Sequence, residues 1–140
     1  MKLFADANIL VSVINHEYPL YNYAARILSL ANTKNFEIYT SPLNLAIAFY
    51  FAQKKCKVQR AKQKIEIIQR HLKITEVNAS IVGLALKNKQ VEDFEDGMQY
   101  YSALESGCDC ILTEDVGDYY FSEIEVISSK DFMLKYLLEY

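Results

Sequence analysis

Carboxylate side chains are concentrated in one stretch of the sequence. Eleven Asp and Glu residues lie from Glu92 to Glu125, and no Lys or Arg occurs from Gln90 to Ser129. Asp93 and Asp96 are three residues apart, so they lie on one side of the first turn if this segment is helical. A further carboxylate, Asp6, stands between two apolar runs near the N-terminus. Burying such a group is costly unless it is paired or bound to a metal ion.

Two unit charges about 4 Å apart repel by about 4 kcal/mol at an effective dielectric near 20, so a group of unpaired carboxylates favours a divalent cation. Oxygen ligands without His or Cys suit Mg²⁺ or Mn²⁺. In an open cleft, such an ion suits phosphoester hydrolysis, because it lowers the pKa of bound water and stabilises the developing charge. A purely structural role stays open for each acid: Asp93 and Asp96 also suit a helix start, and Asp115 and Asp118 suit a turn.

Hydrophobic periodicity predicts strands alternating with helices. Strands are predicted at residues 2–5, 36–40, 74–77, 108–113 and 124–127. Helices are predicted at 22–31, 41–53 and 59–72, from Asn78 through 85, before Gly107 and after Ser128 or Ser129. The opening run, residues 1–14, is interpreted as a core strand rather than a signal peptide, because Asp6 and Asn8 interrupt it.

Two helices carry specific expectations. An apolar stripe at three- and four-residue steps predicts the inward side of the helix before Gly107: Phe94, Met98, Tyr101 and Leu104. The helix that begins at Ser41-Pro42 is apolar nearly all round, which predicts a central position.

The alternation of strands and helices predicts a parallel sheet covered on both faces. In such sheets, ligands bind outside the carboxyl ends of the strands. Asp6 follows the first strand and Asp115 follows the fourth. If those strands are neighbours, their carboxylates face each other and are joined by Asp93 and Asp96.

Composition bounds the class of protein. The 140 residues carry a net charge of −3 and are 51% hydrophobic, which indicates one folded domain spanning residues 1–140. No apolar run reaches the ~18 residues that a membrane span needs. Three cysteines (Cys56, Cys108 and Cys110) indicate a reducing, cytoplasmic location and buried thiols rather than a disulfide framework or a zinc site. Eight of the fifteen basic residues fall between Lys54 and Lys73, so any contact with nucleic acid must be local.

Three segments together resemble the PIN-domain family, metal-dependent ribonucleases that include the toxins of many bacterial toxin–antitoxin pairs. The segments are FADANIL (4–10), DFEDGMQYYSA (93–103) and LTEDVGDY (112–119). The resemblance implies a three-layer α/β/α sandwich with a parallel central sheet. It also implies one or two Mg²⁺ or Mn²⁺ ions and endonucleolytic cleavage of RNA.

The family pattern assigns roles to particular residues of this chain. Asp6, Asp96 and Asp115 match the catalytic, metal-binding acids, and Asp93 adjoins them as a further ligand. Thr113, Asn8 and Asp118 match positions that orient ligands or substrate. The implied partners are single-stranded or structured RNA, an antitoxin protein and a second copy of the chain.

Two departures from the family pattern keep other functions open. Relatives usually carry glutamate, and sometimes asparagine, near Ile47, and they commonly carry alanine where this chain has Gly97, a residue that costs roughly 1 kcal/mol in a helix. A catalytically degenerate module that binds RNA or protein is therefore the main alternative. A phosphoacceptor enzyme with Asp6 as nucleophile is a third, although the second aspartate typical of such enzymes is missing.

The basic and the aromatic side chains can each be interpreted in two ways. The basic run includes Lys54, Lys55, Lys57, Arg60, Lys62, Lys64 and Arg70. These residues could contact phosphates or form a solvated helix face. The tyrosines could stack on unpaired bases, but core or interface positions are more usual, and none is assigned a site role.

Overall fold

The computed structural model describes residues 1–138. Its central sheet has five parallel strands in the order β3-β2-β1-β4-β5. The strands are β1 (Lys2–Ala5), β2 (Glu37–Thr40), β3 (Lys73–Ile74), β4 (Cys110–Leu112) and β5 (Glu125–Ile127). The chain therefore fills one half of the sheet outward from β1 and the other half outward from β4. The predicted adjacency of β1 and β4 is confirmed, and Ala5 pairs with Leu112 at their carboxyl ends.

Helices cover both faces of the sheet. They are α1 (Ala7–Ile14), α2 (Leu20–Leu28), α3 (Pro42–Gln53), α4 (Val58–His71), α5 (Ala79–Lys87), α6 (Phe94–Glu105) and α7 (Ser129–Phe132). Short 3₁₀ segments occupy Ser29–Asn32 and Val116–Tyr119, and a π-helical segment follows α7 at Met133–Leu137. Helices α1, α2, α3, α4 and α7 pack together on one face, and α5 and α6 pack against each other on the other. The predicted three-layer α/β/α sandwich is confirmed.

Alternating side chains of the strands build two cores. Cys110 and Leu112 of β4 face the larger core under α1, α2 and α3, and Ile111 faces the smaller core under α6. This alternation follows from the two-residue repeat of a strand. Because both faces are covered, the central strands β1 and β4 are apolar from Leu3 to Ala5 and from Cys110 to Leu112. The polar groups that follow these two strands lie together at their carboxyl ends.

The predicted helix boundaries rest on local chemistry that the structure shows. Ser41 accepts a hydrogen bond from the Asn44 N–H at 3.1 Å, and Asn78 accepts one from the Ile81 N–H at 3.1 Å. Gly107 follows the end of α6 with a positive φ of 76°, a conformation in which glycine avoids the strain of a side chain.

The interpretation of residues 1–14 as a core strand is wrong beyond Ala5. Residues Ala7–Ile14 form α1, and the side chain of Asp6 accepts the Ala7 N–H at 2.9 Å. An apolar run alone does not distinguish a buried helix from a buried strand. Here Asp6 serves as the N-cap and ends the strand.

The predicted inward stripe of α6 is also wrong. Phe94 and Leu104 are exposed, and the buried face instead carries Gly97, Gln99, Tyr100, Ser102 and Ala103. Polar side chains are buried there because they find partners.

Partners for these polar groups come from the sheet and from α3. The Gln99 amide donates to the Asn44 Oδ1 at 2.8 Å, and the Asn44 amide donates to the Ala5 carbonyl at 3.1 Å. Ser102 donates to the Glu76 carbonyl at 2.7 Å. Burial of a polar group is tolerated when it is hydrogen-bonded.

Gly97 has a packing role rather than a loosening one. A Cβ atom at this position would lie 2.7 Å from Val91 Cγ1 and 3.1 Å from Ala85 Cβ. Glycine therefore permits the close approach of α6 to α5 and to the segment before it. Within residues 1–138, no helix has both the length and the apolar character that crossing a bilayer requires.

Candidate active site

Asp6 stands where β1 ends, next to the end of β4. Its N–H donates to the Leu112 carbonyl at 3.0 Å, which extends the β1–β4 pairing by one residue. One carboxylate oxygen accepts the Ala7 N–H, and the other accepts the Thr113 hydroxyl at 2.9 Å. Both oxygens of this half-buried side chain are therefore oriented by the fold. This is the point at which the chain order of the sheet reverses, where ligands of open α/β sheets bind.

Thr113 and Asn8 connect Asp6 to Asp115. The Thr113 hydroxyl donates to Asp6 and accepts both the Asn8 amide at 3.1 Å and the Asp115 N–H at 3.0 Å. The Asn8 amide also donates to an Asp115 carboxylate oxygen at 3.1 Å, and its carbonyl accepts the Glu114 N–H at 3.2 Å. The fully buried threonine thereby uses its donor and both acceptor positions.

Helix α6 brings further carboxylates to the same place. Asp93 is the N-cap and accepts the Asp96 N–H at 3.1 Å, and Glu95 and Asp96 lie in the first turn. A pocket of about 480 Å³ opens between this helix start and the strand ends. Seven carboxylate residues line the pocket. Six of them follow the strand ends or begin α6: Asp6, Asp93, Glu95, Asp96, Asp115 and Asp118. The seventh is Glu17, which precedes α2.

Charges in this pocket are not balanced by cations. Within residues 1–138, none of the six carboxylates forms an ion pair with Lys, Arg or His. Burial and then the neighbouring charges of Asp93, Asp118 and Asp6 raise the pKa of Asp96 to about 7. The pKa of Asp6 is also raised, mainly by burial, although the bonds from Ala7 and Thr113 oppose the shift. Burial and the charge of Asp93 raise the pKa of Glu95.

Tyr119 contributes an unpartnered polar group beneath these acids. Its side chain is 2% exposed, and its hydroxyl has no hydrogen-bond partner within the described part of the chain. Burial, followed by the charges of Asp6 and Asp96, holds the pKa of Tyr119 well above its usual value. The hydroxyl thus lies close to both carboxylates. A buried polar group without a partner is rare in folded proteins.

The opposite wall of the pocket is apolar. Val11, Leu20, Ile47 and Phe51 line it, beside Glu17. The prediction that α3 is central is wrong: only Asn44, Ala48 and Ala52 of this helix are buried. Its remaining apolar side chains lie at intermediate depth or face solvent. Ile47, the position at which the family resemblance leads one to expect glutamate, lines the pocket itself.

The structure brings all seven sequence-predicted site residues to one place. Asp6, Asn8, Asp93, Asp96, Asp115 and Asp118 line the pocket, and Thr113 lies buried beneath it. Sequence reasoning missed Glu95 and Tyr119. Glu95 could have been included because it shares the first turn of α6 with Asp96, whereas no sequence signal marks Tyr119.

The carboxylates of the pocket suit Mg²⁺ or Mn²⁺ in their chemistry, because these ions prefer oxygen ligands. They form no ion pair with a basic residue among the described residues, and they lie near the buried Tyr119 hydroxyl. As the side chains stand, however, no three His, Cys, Asp or Glu residues among positions 1–138 are grouped closely enough to hold one ion together. Asp93, Glu95, Asp115 and Asp118 are exposed, so staggered rotamers other than those shown are open to them. A shared ligand set therefore requires at least rotation of these side chains.

Comparison with known proteins settles the family. The protein-family model described as PIN domain matches residues 2–117. The chain belongs to the PIN-domain family. It is 26% identical over 135 residues to Ribonuclease VapC1 of Aquifex aeolicus (strain VF5), a match that covers 94% of this chain and 92% of that protein.

Two solved structures show the same PIN fold. VapBC2 from Rickettsia felis, bound to a DNA fragment from its promoter, superposes with a TM-score of 0.70 and 19% identity, covering 91% of this chain and 98% of that one. Mycobacterium tuberculosis VapC20, described as a toxin that cleaves the sarcin-ricin loop, superposes with a TM-score of 0.64 and 17% identity, covering 87% and 98%.

Proposed function

We propose that this PIN-domain protein is an endoribonuclease that depends on Mg²⁺ or Mn²⁺ and acts as the toxin of a toxin–antitoxin pair. The observation that carries the proposal is the convergence of six carboxylate residues on one open pocket without a basic partner among the described residues. The relatives support the choice of reaction, because VapC1 is named a ribonuclease and VapC20 is described as cleaving RNA of the sarcin-ricin loop.

Asp6, Asp96 and Asp115, with Asp93 beside them, would hold the metal ion. When bound, such an ion supplies a polarised phosphate oxygen, a bound water of lowered pKa and charge stabilisation. The chain contributes the orientation of its ligands: Thr113 and the Ala7 N–H fix both oxygens of Asp6.

Asn8 extends this orientation to Asp115, one oxygen of which it holds at 3.1 Å. In the hydrolysis itself, the oxygen of water bonds to phosphorus, the bond to the leaving oxygen breaks, and that oxygen takes up a proton. Asp118 lies at the pocket rim, exposed and able to orient substrate or solvent.

A cleavage assay on RNA with Mn²⁺ tests the proposal, with Asp6→Asn as the inactive variant. Because this change removes a charge from the centre of the acidic group, we expect cleavage to fall by at least about 100-fold. Glu123→Gln is the matched control, since Glu123 is exposed and does not line the pocket. Equal cleavage by Asp6→Asn and the unaltered protein, or no cleavage with any divalent metal, would contradict the proposal.

One observation favours a second candidate, a PIN module that binds RNA or protein without cleaving. Ile47 lines the pocket at the position where the family resemblance leads one to expect glutamate, so the acidic group has one carboxylate fewer than that pattern implies. A melting experiment separates the two candidates. An ion at 100 times its dissociation constant adds about 2.7 kcal/mol to the free energy of unfolding. A melting temperature that does not respond to Mn²⁺ favours the binding module.

The proposed partners follow from the relatives and from the surface. The Rickettsia felis assembly is named VapBC2, which supports a small antitoxin protein bound to this chain. An apolar groove of about 200 Å³ between α2 and α4, lined by Leu28, Ile67 and Leu72 among others, provides one surface for such a protein or for a second copy of the chain. We also propose a cytoplasmic location and a single PIN-like domain over residues 1–140, of which positions 139 and 140 lie outside the described residues.

A further inference from the structure

The C-terminal half of α3 presents aromatic side chains at the rim of the acidic pocket. Phe51 is 41% exposed and lines the pocket, and Tyr50 beside it is 51% exposed. Their ring centroids are 5.3 Å apart with an interplanar angle of 78°. Phe51 therefore offers an uncovered ring at the mouth of the pocket, and Tyr50 adds a second exposed ring beside it.

A cation accompanies the pair. The Lys54 ammonium lies 4.3 Å from the centroid of the Tyr50 ring and 5.2 Å from that of Phe51. The next basic residues, Lys55, Lys57 and Arg60, are all exposed. Exposed basic side chains therefore follow the aromatic pair along the sequence, from Lys54 to Arg60.

The pocket as a whole thus has three chemically distinct parts. Carboxylates form one wall, and Val11, Leu20 and Ile47, with Glu17 beside them, form a second, largely apolar wall. Phe51 also lines the pocket, and the exposed side chains of Tyr50 and Lys54 lie next to its ring. These three residues form the third part, the rim. A polyanion is repelled by the carboxylates and attracted only at the rim. A ligand that fits all three parts carries phosphates, has an accessible apolar face, and places one of its phosphates at the acidic wall.

We propose that Tyr50, Phe51 and Lys54 form a stacking subsite for an unpaired base of single-stranded RNA, with Lys54 contacting the adjacent phosphate. The choice of RNA rests on the proposed function. Single-stranded nucleic acid is selected because its bases offer free π-faces to aromatic side chains, whereas a duplex keeps them stacked inside. Ile47 is part of this subsite: an apolar side chain in place of glutamate leaves the wall below Phe51 uncharged, so a base can lie against it.

Fluorescence anisotropy with labelled RNA tests the subsite independently of cleavage. Binding is measured in EDTA, with an eight-nucleotide single strand and with the duplex of the same sequence. Phe51→Leu and Tyr50→Leu keep apolar volume but remove the π-face, and we expect each to weaken binding of the single strand by about 10-fold. Phe51→Trp is the matched control and retains binding, because it keeps an aromatic face. We expect Lys54→Gln to reduce the dependence of the RNA-binding constant on salt concentration by the amount of about one phosphate contact.

Several results would overturn the subsite. The first is that the unaltered protein does not bind the single strand. The second is that the Leu and Trp variants at position 51 bind the single strand equally well. The third is that the duplex binds as tightly as the single strand and is weakened as much by Phe51→Leu. If Phe51→Leu does not fold, as judged by melting, the half-exposed Tyr50 carries the test. Failure of the nuclease proposal is distinguishable: RNA would then bind through the rings without being cleaved in Mn²⁺. Cleavage that the Leu variants leave unchanged would contradict the subsite alone.

Discussion

The acidic wall of the pocket has two halves that are built differently. The strand half consists of Asp6, Asn8, Thr113 and Asp115 at the ends of β1 and β4, and hydrogen bonds connect all four residues. The helix half consists of Asp93, Glu95 and Asp96 at the start of α6. Within the described residues, its one side-chain hydrogen bond is the cap from the Asp96 N–H to Asp93.

The two halves therefore differ in whether hydrogen bonds hold their carboxylates in place. In the strand half, the carboxylates are already held by donors, so their oxygens have defined directions before any ligand arrives. In the helix half, Glu95 and Asp96 have raised pKa values because burial and like charges disfavour ionisation and no bond compensates. We infer that the strand half fixes where a metal ion binds and that the helix half responds to its charge.

The largest expected effect comes from breaking the strand half. Thr113→Val removes the hydroxyl that bonds Asp6, Asn8 and the Asp115 N–H, and it leaves groups around a buried side chain without partners. We expect cleavage to fall by about 10- to 100-fold and the free energy of unfolding to fall by about 1–3 kcal/mol. Kinetics and denaturant unfolding measure the two effects. Thr113→Ser, which keeps the hydroxyl, should stay near the unaltered protein; loss of cleavage in both variants alike would contradict the role of the hydroxyl.

A change on the opposite wall sharpens the comparison by adding a carboxylate at position 47. Ile47→Glu places a carboxylate across from both halves, so we expect Mn²⁺ to bind about 10-fold more tightly and the metal-free protein to melt at a lower temperature. Isothermal titration with Mn²⁺ and melting in EDTA measure these effects. Ile47→Gln has the same size without the charge and serves as the control. Equal Mn²⁺ affinities of the Glu and Gln variants would show that position 47 does not reach the ion.

The smallest expected effect is on the stability of the helix half without metal. The pKa of Asp96 is raised from 3.8 to about 7, so the folded protein binds more protons than the unfolded chain between these values. Stability therefore falls as pH rises through this window. In EDTA, Asp96→Asn should raise the free energy of unfolding at pH 8 by about 1 kcal/mol, after allowance for solvent screening.

This gain should disappear at a pH below the window, where the aspartate is protonated in both states. Melting curves across pH measure it, and Glu123→Gln again provides the same charge change outside the pocket. A gain that is independent of pH, or a loss at pH 8, would show that like-charge repulsion does not dominate at Asp96.

Much of the fold and of the site could be predicted from local sequence. The position of the site at the carboxyl ends of the strands was predictable. Asp6 and Asp115 each follow a short apolar strand, and parallel strands bring their carboxyl ends together. The start of α3 was predictable because Ser41-Pro42 is a local signal. Asp93 and Asp96 were predictable from their spacing at a helix start, and the family resemblance added Thr113 and assigned roles to Asn8 and Asp118.

Features that depend on distant partners could not be predicted. The buried face of α6 was misassigned because Gln99 and Ser102 are polar, and only Asn44, Ala5 and Glu76, far away in sequence, provide their partners. The opening of α3 to solvent depends on which helices pack against it. The orphaned hydroxyl of Tyr119 is visible only once burial is known.

In the proposed enzyme, the carboxylates of the two halves share one divalent ion. Anomalous scattering from crystals soaked in Mn²⁺ measures this most directly, because it locates the ion without reference to activity. We expect an anomalous peak in the pocket within ligand distance of Asp6 and Asp96, with Asp115 alongside, and no such peak in crystals of Asp6→Asn. No peak in the pocket at saturating Mn²⁺, or a peak away from these residues, would contradict the proposal of one shared ion.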